Sequence, residues 1–258
     1  WITHVYTNNK YKKYNIIINM PKILKVKDTA DAFHKKMPVF DLPMRILLNS
    51  KSQHGIAKTT IMLNLLLNPE FGYDKIFSGK NIYIVSDNDQ DEKLKLLASY
   101  KQIPEQNVMP FNESALMNLY DEIEENFEED KINKDIQHRI ILMDDCGYSG
   151  KMKKQFGVVA KLASNCRHIA CSLVVSSQRL NMTPPTLRSQ VTGACFGACS
   201  MAELEMIGES FNYLNSKKDF INLYRKHTKD ARSFLCINFT GDDGLYYDRE
   251  FKPIKNLE

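Results

Sequence analysis

Residues 45–60 constrain this chain more than any other stretch: Arg-Ile-Leu-Leu-Asn-Ser-Lys-Ser-Gln-His-Gly-Ile-Ala-Lys-Thr-Thr. An apolar strand-like run, Ile46-Leu47-Leu48, enters a loop of small and polar residues. That loop ends in Ala57-Lys58-Thr59-Thr60, and residues 61–67 then read as a buried helix. Strand, loop, Lys-Thr and helix is the context that a phosphate-binding P-loop requires. The backbone of Ser52, Gln53, His54, Gly55, Ile56 and Ala57, continuing into Lys58, Thr59 and Thr60, would turn its N–H groups toward the phosphates. Lys58 would reach the β- and γ-phosphates, and the Thr59 hydroxyl would ligate Mg²⁺. The pattern departs from the standard one, which has Gly at the first loop position and just before the Lys. Ser52 and Ala57 stand there instead, with Gly55 displaced between them. A side chain at either place tightens a turn that favours glycine. The competing reading is a plain strand–loop–helix with a surface lysine.

A second stretch answers the first. Residues 139–145, Arg-Ile-Ile-Leu-Met-Asp-Asp, are a short apolar run ending in two carboxylates. A buried parallel strand would deliver these acids to the carboxyl edge of a sheet, beside the loop. Asp144 would orient Mg²⁺ through its water shell, and Asp145 would position or activate the attacking water. Residues 171–178 form a further apolar run with a polar tip. Gln178 there would hydrogen-bond the lytic water or sense the γ-phosphate, unless it serves as a strand-end amide bonded to backbone.

The bulk composition permits this. At 258 residues, 43% hydrophobic and 26% charged, the chain suits one α/β domain with a substantial core. The net charge of +4 permits contact with nucleic acid without demanding it. Cys146, Cys166, Cys171, Cys195, Cys199 and Cys236 form no CxxC pair, which argues against zinc and for reduced, buried thiols. No apolar run approaches the roughly 18 residues of a membrane span, and no stretch reads as a secretory signal.

Residues 1–37 read as a basic N-terminal arm or leader. Eight lysines stand against Asp28 and Asp31 within residues 1–36, and Met20-Pro21 suggests Met20 as the natural start. Residues 38–258 read as a single domain. Residues 81–86 are a strand, residues 87–90 cap a helix running to about Tyr100, and residues 114–130 are an amphipathic acidic helix. A helix over 156–166, a rigid loop over 184–188, a strand over 193–200, a helix over 201–211 and a strand over 234–239 follow. The tail from Gly241 reads as a hairpin or extension. Alternating strands and helices imply a largely parallel central sheet flanked by helices on both faces.

These motifs together resemble one family. The Lys58-Thr59 loop, residues 64–67, residues 81–86 and the Asp144-Asp145 strand are similar to the genome-packaging ATPases of large DNA viruses and virophages. These are the poxvirus-type members of the FtsK–HerA superfamily of P-loop ATPases. Asn165-Cys166-Arg167-His168, Ser177-Gln178-Arg179 and Pro184-Pro185-Thr186-Leu187-Arg188 continue the match in the family's order, over roughly residues 42–212. Asp145 departs from the Glu that many superfamily members carry. The resemblance implies a RecA-like fold and a homo-oligomeric ring that uses ATP and Mg²⁺ to drive double-stranded DNA into a preformed capsid. It also implies capsid or portal-vertex partners and a place in the infected host cytoplasm or the virion. In a ring, either Arg167 or Arg188 would complete the neighbour's site. Basic loops at Lys151, Lys153 and Lys154, and at Lys217 and Lys218, would grip DNA through its phosphates. Two alternatives stay open at this stage: a nucleotide or small-molecule kinase, for which no Arg-rich lid is found, and a P-loop subunit that has lost turnover.

Overall fold

The computed structural model describes residues 32–51, 58–88, 90–147, 152, 154, 156–230, 232–240 and 245–255. Its centre is an eight-stranded sheet in the order β3-β2-β4-β5-β1-β6-β7-β8. The strands are β1 (Arg45–Asn49), β2 (Ile82–Ser86), β3 (Val108–Met109), β4 (Arg139–Asp144), β5 (Cys171–Ser177), β6 (Gly193–Phe196), β7 (Leu235–Asn238) and β8 (Tyr246–Tyr247). β1 to β6 are mutually parallel, and β7 and β8 add an antiparallel extension.

The inner strands are apolar on both faces because helices cover both. In β1, Ile46 and Leu48 enter one core cluster and Leu47 enters the other. Ile140 and Leu142 likewise part from Ile141 and Met143 in β4. This is the alternation of a pleated strand between two helical layers, and it explains the unbroken apolar runs in the sequence. Each such side chain contributes about 1.5–3 kcal/mol on burial. One layer holds α1 (Lys58–Leu67) and α2 (Glu92–Lys101). The other holds α3 (Glu113–Asn133), α4 (Val158–Asn165), α5 (Pro185–Gln190), α6 (Met201–Phe211) and α7 (Lys217–His227).

Several sequence expectations are corrected. Asp91, rather than residues 87–90, caps α2: its carboxylate accepts from the amides of Lys93 and Leu94 at 2.9 and 3.1 Å. Residues 185–190 form α5 rather than a rigid loop. Pro185 begins that helix, where the missing N–H is no loss and the fixed φ suits the first turn. The expected strand over 193–200 ends at Phe196. Lys217 and Lys218 open α7 rather than lying in a loop, because the Ser216 hydroxyl caps the helix at Asp219 N (3.1 Å) and Phe220 and Tyr224 anchor one face. The two-residue strand β3 was not expected at all. The tail does return as a strand, β8, on the sheet's edge. Residues 1–31, and with them Met20, lie outside the described residues. Phe33 packs edge-on against Phe127 of α3 at 5.4 Å, and Lys35 bridges Leu42, so the end of the expected arm is tied to the body.

Candidate active site

The sheet topology assembles the site. β5 lies between β1 and β4, so Lys58 after β1 and the acids at the end of β4 flank its tip. Asp144 is 5% exposed and lies beside Ser86 in the β2–β4 register. Its two oxygens are both engaged. One accepts from the Thr59 hydroxyl at 3.0 Å, and the other accepts from the Ser176 hydroxyl. Ser176 accepts in turn from the Asp145 amide at 3.0 Å. Burial pushes the Asp144 carboxyl above its ordinary value; the Ser176 bond opposes this, the Asp145 charge adds to it, and the Thr59 bond opposes it.

Asp145 takes a different attitude. Its φ of 49° lies in the left-handed region, which aspartate tolerates better than most residues. The turn aims its carboxylate away from Asp144. One oxygen accepts from Gln178 Nε2 at 3.3 Å, and the other lies 3.6 Å from Lys58 Nζ. Lys58 itself is 7% exposed and also donates to the Ser50 carbonyl at 3.2 Å. Five predicted residues, Lys58, Thr59, Asp144, Asp145 and Gln178, thus meet at one edge of the sheet. Thr60 stands one residue further along α1, and its hydroxyl oxygen accepts from Lys93 Nζ at 3.0 Å. Ser52, Gln53, His54, Gly55, Ile56 and Ala57 lie outside the described residues.

Of the two arginines, Arg167 is not brought to this cluster within the chain. Arg167 precedes β5, and Gln178 follows it. Because a strand rises about 3.3 Å per residue, the seven residues of β5 put Arg167 at the opposite, amino edge. It is exposed there and donates from Nε to His168 Nε2 at 3.1 Å. Arg188 lies on α5 with Nη1 3.3 Å from Met206 Sδ. Neither forms an ion pair with a carboxylate among the described residues. The basic-loop expectation also changes. Lys154 is paired with Glu113 at 2.5 Å. Lys217 is paired with Glu205 and, at 3.0 Å, Glu209. Lys151 and Lys153 lie outside the described residues.

Two residues were given no role of their own in the sequence reading. Ser176 is an ordinary strand serine until the parallel register sets it against Asp144. Arg179, next to Gln178, is exposed at the carboxyl edge and lines a cavity with Lys51, Asn181 and Glu203. Its position directly after Gln178 was the available signal.

The site's donor set also bears on a divalent metal. Asp144 and the Thr59 hydroxyl offer hard oxygen ligands side by side, the chemistry that suits Mg²⁺ held by few protein groups and a phosphate. No cluster of three or more His, Cys, Asp or Glu side chains that would form an all-protein cage exists among the described residues.

A largely parallel sheet with Lys-Thr opening the first helix, two acids at the end of a strand one removed, and a Gln at the tip between them defines a P-loop ATPase. A model of the Poxvirus A32 protein family matches residues 31–242, and the chain belongs to that family. The assignment as a genome-packaging ATPase stands with it, and the kinase and turnover-deficient alternatives are not favoured. No curated protein sequence matches the chain. Among solved structures, the genome packaging NTPase B204 from Sulfolobus turreted icosahedral virus 2, in complex with AMP, matches with a TM-score of 0.53 at 16% identity. The match covers 82% of this chain and 98% of that one. EssC (ATPases 2 and 3) from Geobacillus thermodenitrificans matches with a TM-score of 0.51 at 12% identity, over 84% of this chain and 42% of that one. At these identities the likeness is one of fold. No helix of the described residues is long and apolar enough to cross a membrane.

Proposed function

We propose that this protein is a motor that hydrolyses ATP, with Mg²⁺, to move double-stranded DNA into a viral capsid. The observation that carries the reading is the convergence of Lys58, Thr59, Asp144, Asp145 and Gln178 at one sheet edge, in a chain of the A32 family. Lys58 neutralises the β- and γ-phosphates, and the motif assigns residues 52–57 to nucleotide binding with it. Thr59 and Asp144 are the residues that would hold Mg²⁺, which when bound neutralises phosphate charge. Asp145 orients or deprotonates the attacking water, and Gln178 fixes Asp145 and the water together. The raised proton affinity of Asp144 falls when a cation neutralises it, so Asp144 is the charged partner in the loaded site.

The ring supplies the remaining charge. Arg167 or Arg188 of one subunit completes the neighbour's site, where an arginine stabilises the transition state. The place of Arg167 at the edge opposite its own chain's Asp144–Asp145 cluster supports a role in trans for it. DNA is held through its phosphates, without base reading. The basic arm of residues 1–37, Lys218, and Lys151 and Lys153 are the candidate contacts. Residues 38–258 act as a single motor domain, which docks on capsid or portal-vertex proteins in the infected cytoplasm or the virion. The test is phosphate release from ATP with and without duplex DNA. DNA-stimulated hydrolysis is expected; hydrolysis indifferent to DNA, or none, overturns the motor reading.

A further inference from the structure

Four charged side chains are buried among the described residues, and three of them have a partner. Lys58 faces Asp145, Asp144 accepts from Thr59 and Ser176, and Arg139 donates to Asp130 at 2.7 Å. The fourth, Arg45, opens β1 and is 8% exposed. Its backbone is satisfied: the amide donates to the Thr192 hydroxyl at 2.9 Å, and the carbonyl accepts from the Thr192 amide at 2.8 Å. Its guanidinium is not. Nε and Nη1 are buried and donate to nothing among the described residues. No carboxylate among those residues forms an ion pair with it. An arginine cannot shed its charge by losing a proton, and a buried charge without a partner carries a large desolvation penalty.

The surroundings add a second charge of the same sign. Side chains alternate along a strand, so Arg45 shares its face with Leu47, on the side of the sheet where Cys166 is buried. Cys166 begins the short helical turn Cys166–Ile169 that leads into β5, the neighbour of β1. Arg167 and His168 are the exposed residues of that turn. Burial lowers the proton affinity of the Arg45 guanidinium, the nearby Arg167 charge lowers it further, and Cys166 opposes both. Arg167 forms no ion pair of its own among the described residues; it donates to His168 Nε2 at 3.1 Å. Two like charges thus stand together at the amino edge of the sheet, with no opposite charge bonded to either.

We propose that Arg45 and Arg167 form a binding site for a small dianion of the phosphate class, at the sheet edge opposite the Lys58 cluster. Two permanent positive charges match the two negative charges of such an ion, whereas a single carboxylate answers only one. Guanidinium groups suit phosphate because their N–H groups form parallel pairs to its oxygens. The burial of Arg45 selects a compact ion over a phosphodiester flanked by its sugars. The length of β5 separates Arg167 from Gln178, so the ion bound here is not a phosphate of the nucleotide held by Lys58 of the same chain.

The probe is inorganic phosphate, added to the full chain carrying Lys58→Ala so that the phosphate loop does not dominate the response. Thermal melts compare it with chloride at equal ionic strength and slightly alkaline pH, where inorganic phosphate is mainly the dianion. Met matches the length of Arg without its charge, and exchanging a buried ion for an apolar side chain of similar volume is often neutral or stabilising. Added to Lys58→Ala, Arg45→Met should therefore fold and, in chloride, melt at or above Lys58→Ala alone. Phosphate should reverse the order. Lys58→Ala alone should gain about 3 °C or more with a saturable dependence. The protein that also carries Arg45→Met should show only the unsaturable rise that phosphate gives proteins in general. Arg167→Gln, a change at an exposed position, should keep the site but weaken phosphate binding by about tenfold. Equal phosphate responses with and without Arg45→Met overturn the proposal. So does an Arg45→Met protein that melts lower in chloride, which would show that Arg45 already has its partner within the chain. A melting temperature that climbs with protein concentration in chloride, and only while Arg45 is present, overturns it in favour of a carboxylate from a second copy. Each readout is a melt without nucleotide, so the site fails or stands apart from the ATPase reading.

Discussion

The Ser176 hydroxyl donates to one oxygen of Asp144 while accepting the amide of Asp145, so a single side chain on β5 fixes both acids at the end of β4. Asp144 is thereby held beside Thr59, and Asp145 is turned toward Lys58 and Gln178. Ser176→Ala should weaken the apparent Mg²⁺ affinity by about 10–100-fold, the usual cost of losing a group that orients a metal ligand. Metal titration of ATP hydrolysis measures it. An unchanged Mg²⁺ dependence would make Ser176 a packing residue only.

Lys58→Ala should abolish hydrolysis, because no other described cation stands at the Asp144–Asp145 cluster to neutralise the phosphates. Asp145→Asn should behave differently. It keeps the shape that Gln178 contacts but removes the charge that orients water, so nucleotide binding survives while turnover falls by about 10²–10⁴. Fluorescent-nucleotide binding and phosphate release, measured on the same preparation, separate the two. Parallel losses of binding and turnover in Asp145→Asn would reassign that residue to the metal or the fold.

Asp144 should reveal itself in the pH dependence of stability. Burial raises its folded pKa, so the folded state holds the proton more tightly than the unfolded chain does. Its contribution to stability is therefore complete below the unfolded value of about 3.9 and is lost as pH rises through the raised folded value. Asp144→Asn removes that loss. Without nucleotide or metal, the variant should melt higher than the parent at pH 7, by about 2–4 °C for each kcal/mol relieved, while losing Mg²⁺-dependent turnover. Thermal melts at pH 4 and pH 7 check this; a variant that melts lower at pH 7 than the parent contradicts the burial argument.

If a neighbour's arginine completes the site, hydrolysis per subunit should rise with protein concentration. Arg167→Ala or Arg188→Ala should leave nucleotide binding and the monomer fold intact and cut turnover by about 10³ or more. Mixing such a variant with Lys58→Ala should restore part of the activity, since one brings a whole phosphate loop and the other an arginine. No rescue by either, in a mixture shown by size-exclusion chromatography to co-assemble, would leave both as structural residues.

Much of this was legible in the chain. Runs such as residues 46–48 and 140–143 announce strands buried on both faces, and the paired acids announce where one of them ends. Lys58, Thr59, Asp144, Asp145 and Gln178 could be named because each sits at a junction between elements. What was not legible depends on register and edge. Ser176 acquires its role only when β5 lies beside β4. Arg167 lies close to Gln178 in the sequence, yet a parallel strand carries the two to opposite edges of the sheet. Pro184-Pro185 reads as a loop when the second proline is in fact the first residue of a helix. Lys217 reads as a free loop cation until Ser216 is seen to cap α7 and Glu205 and Glu209 close on the ammonium.

The two outermost strands, β3 and β8, are each two residues long. Edges so short offer almost no run of open backbone groups, which is how natural sheets avoid being extended by another chain. Continuing the sheet from one copy to the next is thereby disfavoured. In the ring proposed above, neighbours would meet instead through helix faces and side chains. A hydrogen-bonded seam would lock such neighbours in one attitude; side-chain contacts would leave each free to shift against the next as its own site empties and refills.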